Sequence, residues 1–149
     1  MAVEIVRRDA GKGFPSRKFK NLADEILRIL ELSGAELSLG LIGNPEIQRL
    51  NARFRHKDYP TDVLSFPADG RLPGNVRLLG DVIISVEKAR EQAKERGRTL
   101  EAEMVTLLIH GILHLIGYDH ERSPKDARVM ARTERRIYRD LCDRGMLQV

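Results

Sequence analysis

A chain of 149 residues and 16.9 kDa is long enough for one domain with a real hydrophobic core, and its 42% hydrophobic and 32% charged residues fit a soluble globular protein. Its single cysteine, Cys142, excludes an internal disulfide framework and suits a reducing cytoplasm. A net charge of +4 and a pI of about 9.5 lean toward anionic partners such as nucleic acid without identifying one.

The opening residues, MAVEIVRRDAGKG, lack the apolar centre of a signal peptide, and residues 2–8 read as a short strand. A helix is expected over 16–34, with Phe19, Leu22, Ala23, Ile26, Leu27 and Leu30 on one stripe, Ser16 as N-cap and Gly34 as stop. The alternation of Leu37, Leu39 and Leu41 predicts a half-buried strand. Asn44 and Pro45 suit a helix start, and that helix should run to about Arg55. Residues 61–67 read as a strand ending at Pro67. Gly70, Pro73, Gly74 and Asn75 make 68–78 a loop, and 79–86 form the next strand. A charged helix then runs to Gly97. Thr99 caps an apolar helix that should end at Gly117, and Ser123-Pro124 opens a last helix with Ala127, Met130, Ile137 and Leu141 on one side. No repeat, low-complexity tract or linker interrupts the pattern. The expectation is one α+β domain over 1–149, a small mixed four-stranded sheet packed with about five helices.

Residues 105–117, VTLLIHGILHLIG, are too short for a membrane span and read as a buried helix. They open the stretch HGILHLIGYDH, which holds three of the chain's four histidines at the spacing His-x3-His-x2-Gly-x2-His. Residues i and i+4 share a helix face, so His110 and His114 can reach one cation. Gly117 tolerates the left-handed turn that would bring His120 back to the same point. Isolated core histidines would each need a separate hydrogen-bond partner. A structural metal site usually closes with four protein ligands and often uses cysteine. Three histidines leave a position open, which favours a catalytic, zincin-like metal helix. Zinc, one ion per chain, suits this set, and imidazole also suits other divalent transition metals.

The same spacing occurs in metzincin proteases, where a glutamate follows the first histidine. Here that residue is Gly111. It cannot shuttle the proton that a basic amine leaving group needs, which argues against a peptidase. Glycine is also expected to leave open space beside the metal.

HGILHLIGYDH, together with LNARFRHKDYPTDVLSFP (50–67) and LGDVIIS (79–85), resembles the bacterial YbeY family over roughly residues 35–121. The resemblance implies a metal-dependent endoribonuclease of ribosomal RNA maturation and ribosome quality control, with RNA and small-subunit components as partners. In that family a glycine also follows the first histidine. Carried over by position, His110, His114 and His120 are the metal ligands and catalytic centre. Arg55 matches the family's important cleft arginine, suited to grip two phosphate oxygens. Ser65 and Asp81 are further candidates for lining the substrate cleft, the alternative for each being a satisfied polar group in the sheet. Asp58, Thr61 and Asp62 read as turn and strand-start residues, His56 as a surface residue and Cys142 as packing. Basic runs at 7–20 and 122–139 suit tracking of a phosphate backbone. The reading is a cytoplasmic zinc endoribonuclease without membrane attachment. Its rivals are a zincin-type peptidase and an assembly factor with a structural metal. The oligomeric state stays open.

Overall fold

The computed structural model describes residues 3–7 and 15–147; Arg8 and Lys12 of the first basic run, like the side chain of Arg7, lie outside them. In chain order the elements are β1 (Val3–Arg7), α1 (Ser16–Ile29), β2 (Glu36–Ile42), α2 (Asn44–Arg55), β3 (Val63–Pro67), β4 (Arg71–Leu72), β5 (Val76–Ser85), α3 (Val86–Arg96), α4 (Leu100–Leu115) and α5 (Pro124–Asp143). The main sheet has the order β1-β2-β5-β3. β1 and β2 are parallel, as are β2 and β5, whereas β3 runs antiparallel to β5. Parallel neighbours need a crossover, and α1 supplies it between β1 and β2. The expected mixed four-stranded sheet with five helices is therefore the architecture found.

Alternation on the strands decides where the core sits. Leu37, Leu39 and Leu41 of β2 and Val82 and Ile84 of β5 face α1 and α4 and are buried with Phe19, Leu22, Ile26, Leu108 and Ile112. Each such side chain contributes about 1.5–3 kcal/mol by leaving water. α5 covers this layer from outside through Met130, Ile137 and Leu141, as its sequence pattern predicts. Ala127, expected on the same side, is only half-buried. Beneath α2, on the other face of the sheet, Ile42, Ile47 and Leu64 form a smaller cluster.

Three local expectations shift. Residues 68–78 are not simply a loop: β4 pairs Arg71 with Arg77 and Leu72 with Val76, and Gly74 (φ 84°) and Asn75 (φ 62°) turn the hairpin. Residues that signalled irregular chain are the turn between two strands. β5 thus starts three residues earlier than expected, and its register against β2 shifts between Leu78 and Gly80. Gly80 carries φ 127°, and a Cβ there would lie 2.2 Å from the Phe66 carbonyl oxygen, so this bulge requires glycine. Caps move by one residue where proline or glycine precedes: Pro15 and Gly43 hold the N-cap positions of α1 and α2, in place of Ser16 and Asn44. The chain reverses after α1 at Glu31 (φ 60°), ahead of the expected stop at Gly34. Thr99 and Ser123 cap as expected, accepting from the N–H groups of Ala102 and Asp126. No helix among the described residues is long and apolar enough to cross a membrane.

Candidate metal centre

α4 is buried almost all round, and this defines the site. Met104, Val105, Leu107, Leu108, Ile109, Gly111, Ile112 and Leu113 are all buried, so Thr106, His110 and His114, four residues apart, form the remaining polar stripe. That stripe lines a cleft of about 660 Å³. After Leu115 the helix ends, and Gly117 takes φ 107°, with its N–H bonded to the His114 carbonyl. The chain reverses there and returns His120 to the stripe, as the sequence predicts.

The ring centroids of His110, His114 and His120 lie 4.7, 4.9 and 5.1 Å apart. One ring nitrogen from each falls within 4.8 Å of the other two, a grouping that can hold a metal ion. His114 Nε2 and His120 Nδ1 are 3.1 Å apart. Tetrahedral ligands at about 2.0–2.1 Å from zinc stand roughly 3.3 Å from one another, so the spacing fits a small cation with little adjustment. Ligation also needs neutral imidazole. Burial, then the charges of His110 and His120, push the His114 pKa below the ordinary histidine value; Asp119 opposes them and Arg55 adds to them.

Arg55 ends α2, followed by His56 in the left-handed conformation (φ 58°). It lines the cleft, its charge reaches His114, and it has no hydrogen bond or ion pair among the described residues. The loop that walls the cleft beside it is pinned by Asn51, a buried residue whose Nδ2 donates to the Tyr59 carbonyl at 2.9 Å. Asp62 starts β3 by accepting from the Val63 N–H at 2.8 Å, and Asp58 accepts from Gln48, the turn and strand-start roles expected of them. Cys142 is half-buried against the core.

Ser65 lines the cleft, but its hydroxyl donates to the Gly111 carbonyl at 3.0 Å and ties β3 to α4. Asp81 does not join the group. It is exposed, it is not among the cleft residues, and the alternation that turns Val82 toward α4 turns Asp81 to the opposite face of the sheet. The expected space at Gly111 is also absent. A Cβ there would meet Val82 Cγ1 at 2.6 Å and Ser65 Oγ at 3.2 Å, so Gly111 faces the sheet and lets α4 approach it closely.

Sequence reading missed Glu134. Its Oε2 lies 2.9 Å from His110 Nδ1 across the α4–α5 interface. No spacing rule links residues 24 apart on separate helices, and Glu134 lies within the arginine-rich run 122–139, where an acid among arginines carries no signal of its own. Asn51 was missed for a similar reason, since its role exists only once the loop folds back.

A family model described as Endoribonuclease YbeY matches residues 5–142. Curated relatives named Endoribonuclease YbeY include one from Persephonella marina, 42% identical over 139 residues, covering 92% of this chain and 91% of the relative. One from Sulfurihydrogenibium sp. is 48% identical over 124 residues, covering 83% and 82%. A Myxococcus xanthus relative is 51% identical over 145 residues, 95% of this chain, although the chain spans only 47% of that relative's length. The fold is similar to the solution structure of TM1509 from Thermotoga maritima, with TM-score 0.65 and 29% identity over 99% of this chain and 96% of the other. On the family match and these relatives, the chain belongs to the Endoribonuclease YbeY family.

Proposed function

We propose that this protein is a zinc-dependent endoribonuclease that acts in the cytoplasm on ribosomal RNA, in its processing and in ribosome quality control, with small-subunit components as partners. The observation that carries the reading is one polar cleft holding three convergent imidazoles and the Arg55 guanidinium, which has no partner among the described residues. His110, His114 and His120 would hold the ion. When bound, a divalent cation supplies Lewis acidity toward water and toward a phosphoryl oxygen. Arg55 binds the scissile phosphate by two N–H donors and stabilises the charge that develops on it. The loop held by Asn51 lines the same cleft as Arg55 and the histidine stripe. Ser65 acts indirectly, holding β3 against the turn of α4 that carries His110. The exposed arginines of α5 add positive charge that tracks an RNA backbone.

The peptidase alternative loses support from Gly111, because position 111 points at Val82 and no side chain there reaches the histidines without moving the sheet. A purely structural metal is disfavoured because the three histidines line an open cleft, where an ion they held would remain accessible. His114→Ala is expected to abolish zinc binding and RNA cleavage while keeping the circular dichroism of the wild type, because the core forms without metal. RNA cleavage at the wild-type rate by a zinc-free variant would overturn the reading, as would casein cleavage in place of RNA cleavage by the loaded wild type.

A further inference from the structure

Glu134 is an acid whose helical surroundings give it nothing to pair with. On α5 the residues three and four positions away are Met130, Ala131, Ile137 and Tyr138, none of them charged at neutral pH. Met130 and Ile137 are buried against the core, so α5 cannot rotate freely, and Glu134 is held between them toward α4. There its Oε2 lies 2.9 Å from His110 Nδ1, with both side chains about three-quarters buried (23% and 25% exposed). Among the described residues it is the one carboxylate within hydrogen-bond distance of a triad ring; Glu121 lies 3.8 Å from His120 Nε2.

We propose that Glu134 is a positioning residue of the metal centre. Its carboxylate accepts the Nδ1–H of His110, fixes the ring's orientation and tautomer, and leaves the Nε2 lone pair directed at the point shared with His114 and His120. A histidine whose other nitrogen is held by a carboxylate is a more basic and better-ordered ligand, and loss of such a partner weakens metal binding about 10–100-fold. The C-terminal helix α5, which carries none of the three histidines, thereby forms part of the site. This inference rests on the metal-centre reading proposed above. The rival is an ordinary ion pair that ties α5 to α4 and leaves the metal unaffected.

The test measures Zn²⁺ affinity of the full chain by competition with a chromophoric chelator, and the visible absorption of the Co²⁺-loaded protein. Glu134→Ala should lose about 10–100-fold in zinc affinity and change the cobalt spectrum, with far-ultraviolet circular dichroism unchanged. Glu134→Gln keeps an acceptor oxygen at the same reach, so it should recover affinity to within a few-fold of wild type and restore the spectrum. Wild-type affinity and spectrum in Glu134→Ala would overturn the inference, and Glu134→Gln as weak as Glu134→Ala would overturn the tautomer-holding role. His114→Ala serves as control: zinc binding equal to wild type there would overturn the metal reading itself, and this inference with it.

Discussion

At Gly111 two side chains compete with helix propensity. Replacing glycine by alanine in a helix gains about 1 kcal/mol, yet overpacking costs about 1–3 kcal/mol, and the added Cβ would stand 2.6 Å from a buried Val82 methyl. Gly111→Ala should therefore lower the melting temperature, and Val82→Ala in that background should recover part of the loss. A more stable Gly111→Ala protein would show that the close approach of α4 to the sheet has been misread. His114 gives a prediction of opposite kind. Its folded pKa lies below the unfolded value, so in the metal-free protein its contribution to stability is present above the unfolded pKa near 6.5 and is lost as pH falls toward the folded value. The melting temperature of the apo protein should drop as the pH is lowered from 7 to 5, and His114→Ala should flatten that slope; an unchanged slope would contradict it. The clustering of the three histidines was legible in sequence because helix period and a turn glycine fix their geometry within eleven residues. Gly111 was half legible: its identity excludes a base, but what it faces depends on how α4 docks.

Among the elements, the α3–α4 junction holds the end of the histidine helix in place. Glu103 is fully buried in the first turn of α4, where it accepts from Arg96 Nη1 at 2.6 Å and Arg98 Nη1 at 3.0 Å. Arg98 also donates to Thr106 Oγ1 at 2.9 Å, reaching the stripe that carries His110. Glu103→Ala removes hydrogen bonds to charged groups, each worth about 1.5–3 kcal/mol, while the arginines left behind are partly hydrated. A loss of about 2 kcal/mol in urea unfolding is expected, against less than about 0.5 kcal/mol for exposed Glu95→Ala. Equal effects of the two would deny the junction its role. Sequence located this boundary correctly through Gly97 and Thr99, since caps and left-handed glycines act locally. It misjudged the β4–β5 hairpin because glycine, proline and asparagine mark turns whether or not strands flank them. Pairing of Leu72 with Val76 is a property of the folded chain, invisible to a window of turn residues.

For the molecule as a whole, topology explains why the site was more readable than its surroundings. The parallel β1-β2-β5 arrangement and the antiparallel β3 bring the end of α2 and the stripe of α4 to one cleft, so Arg55 and the histidines meet although they are 55 residues apart at the nearest. Composition and hydrophobic period indicated an α+β domain; neither told which sheet face Asp81 would occupy, because a bulge at Gly80 resets the alternation. On the proposed reading, the chain's positive balance brings RNA to this cleft through a salt-sensitive attraction, while the chemistry depends on Arg55 and the three histidines. Those contributions separate experimentally. The most direct measurement is the turnover of Arg55→Ala at saturating RNA across a salt series, with metal content determined on the same samples. Normal metal content with turnover reduced by about 10²–10³ at every salt concentration, only partly rescued by Arg55→Lys, is the result expected of a group that stabilises the transition state. Turnover equal to wild type once RNA saturates, with only binding weakened, would contradict it.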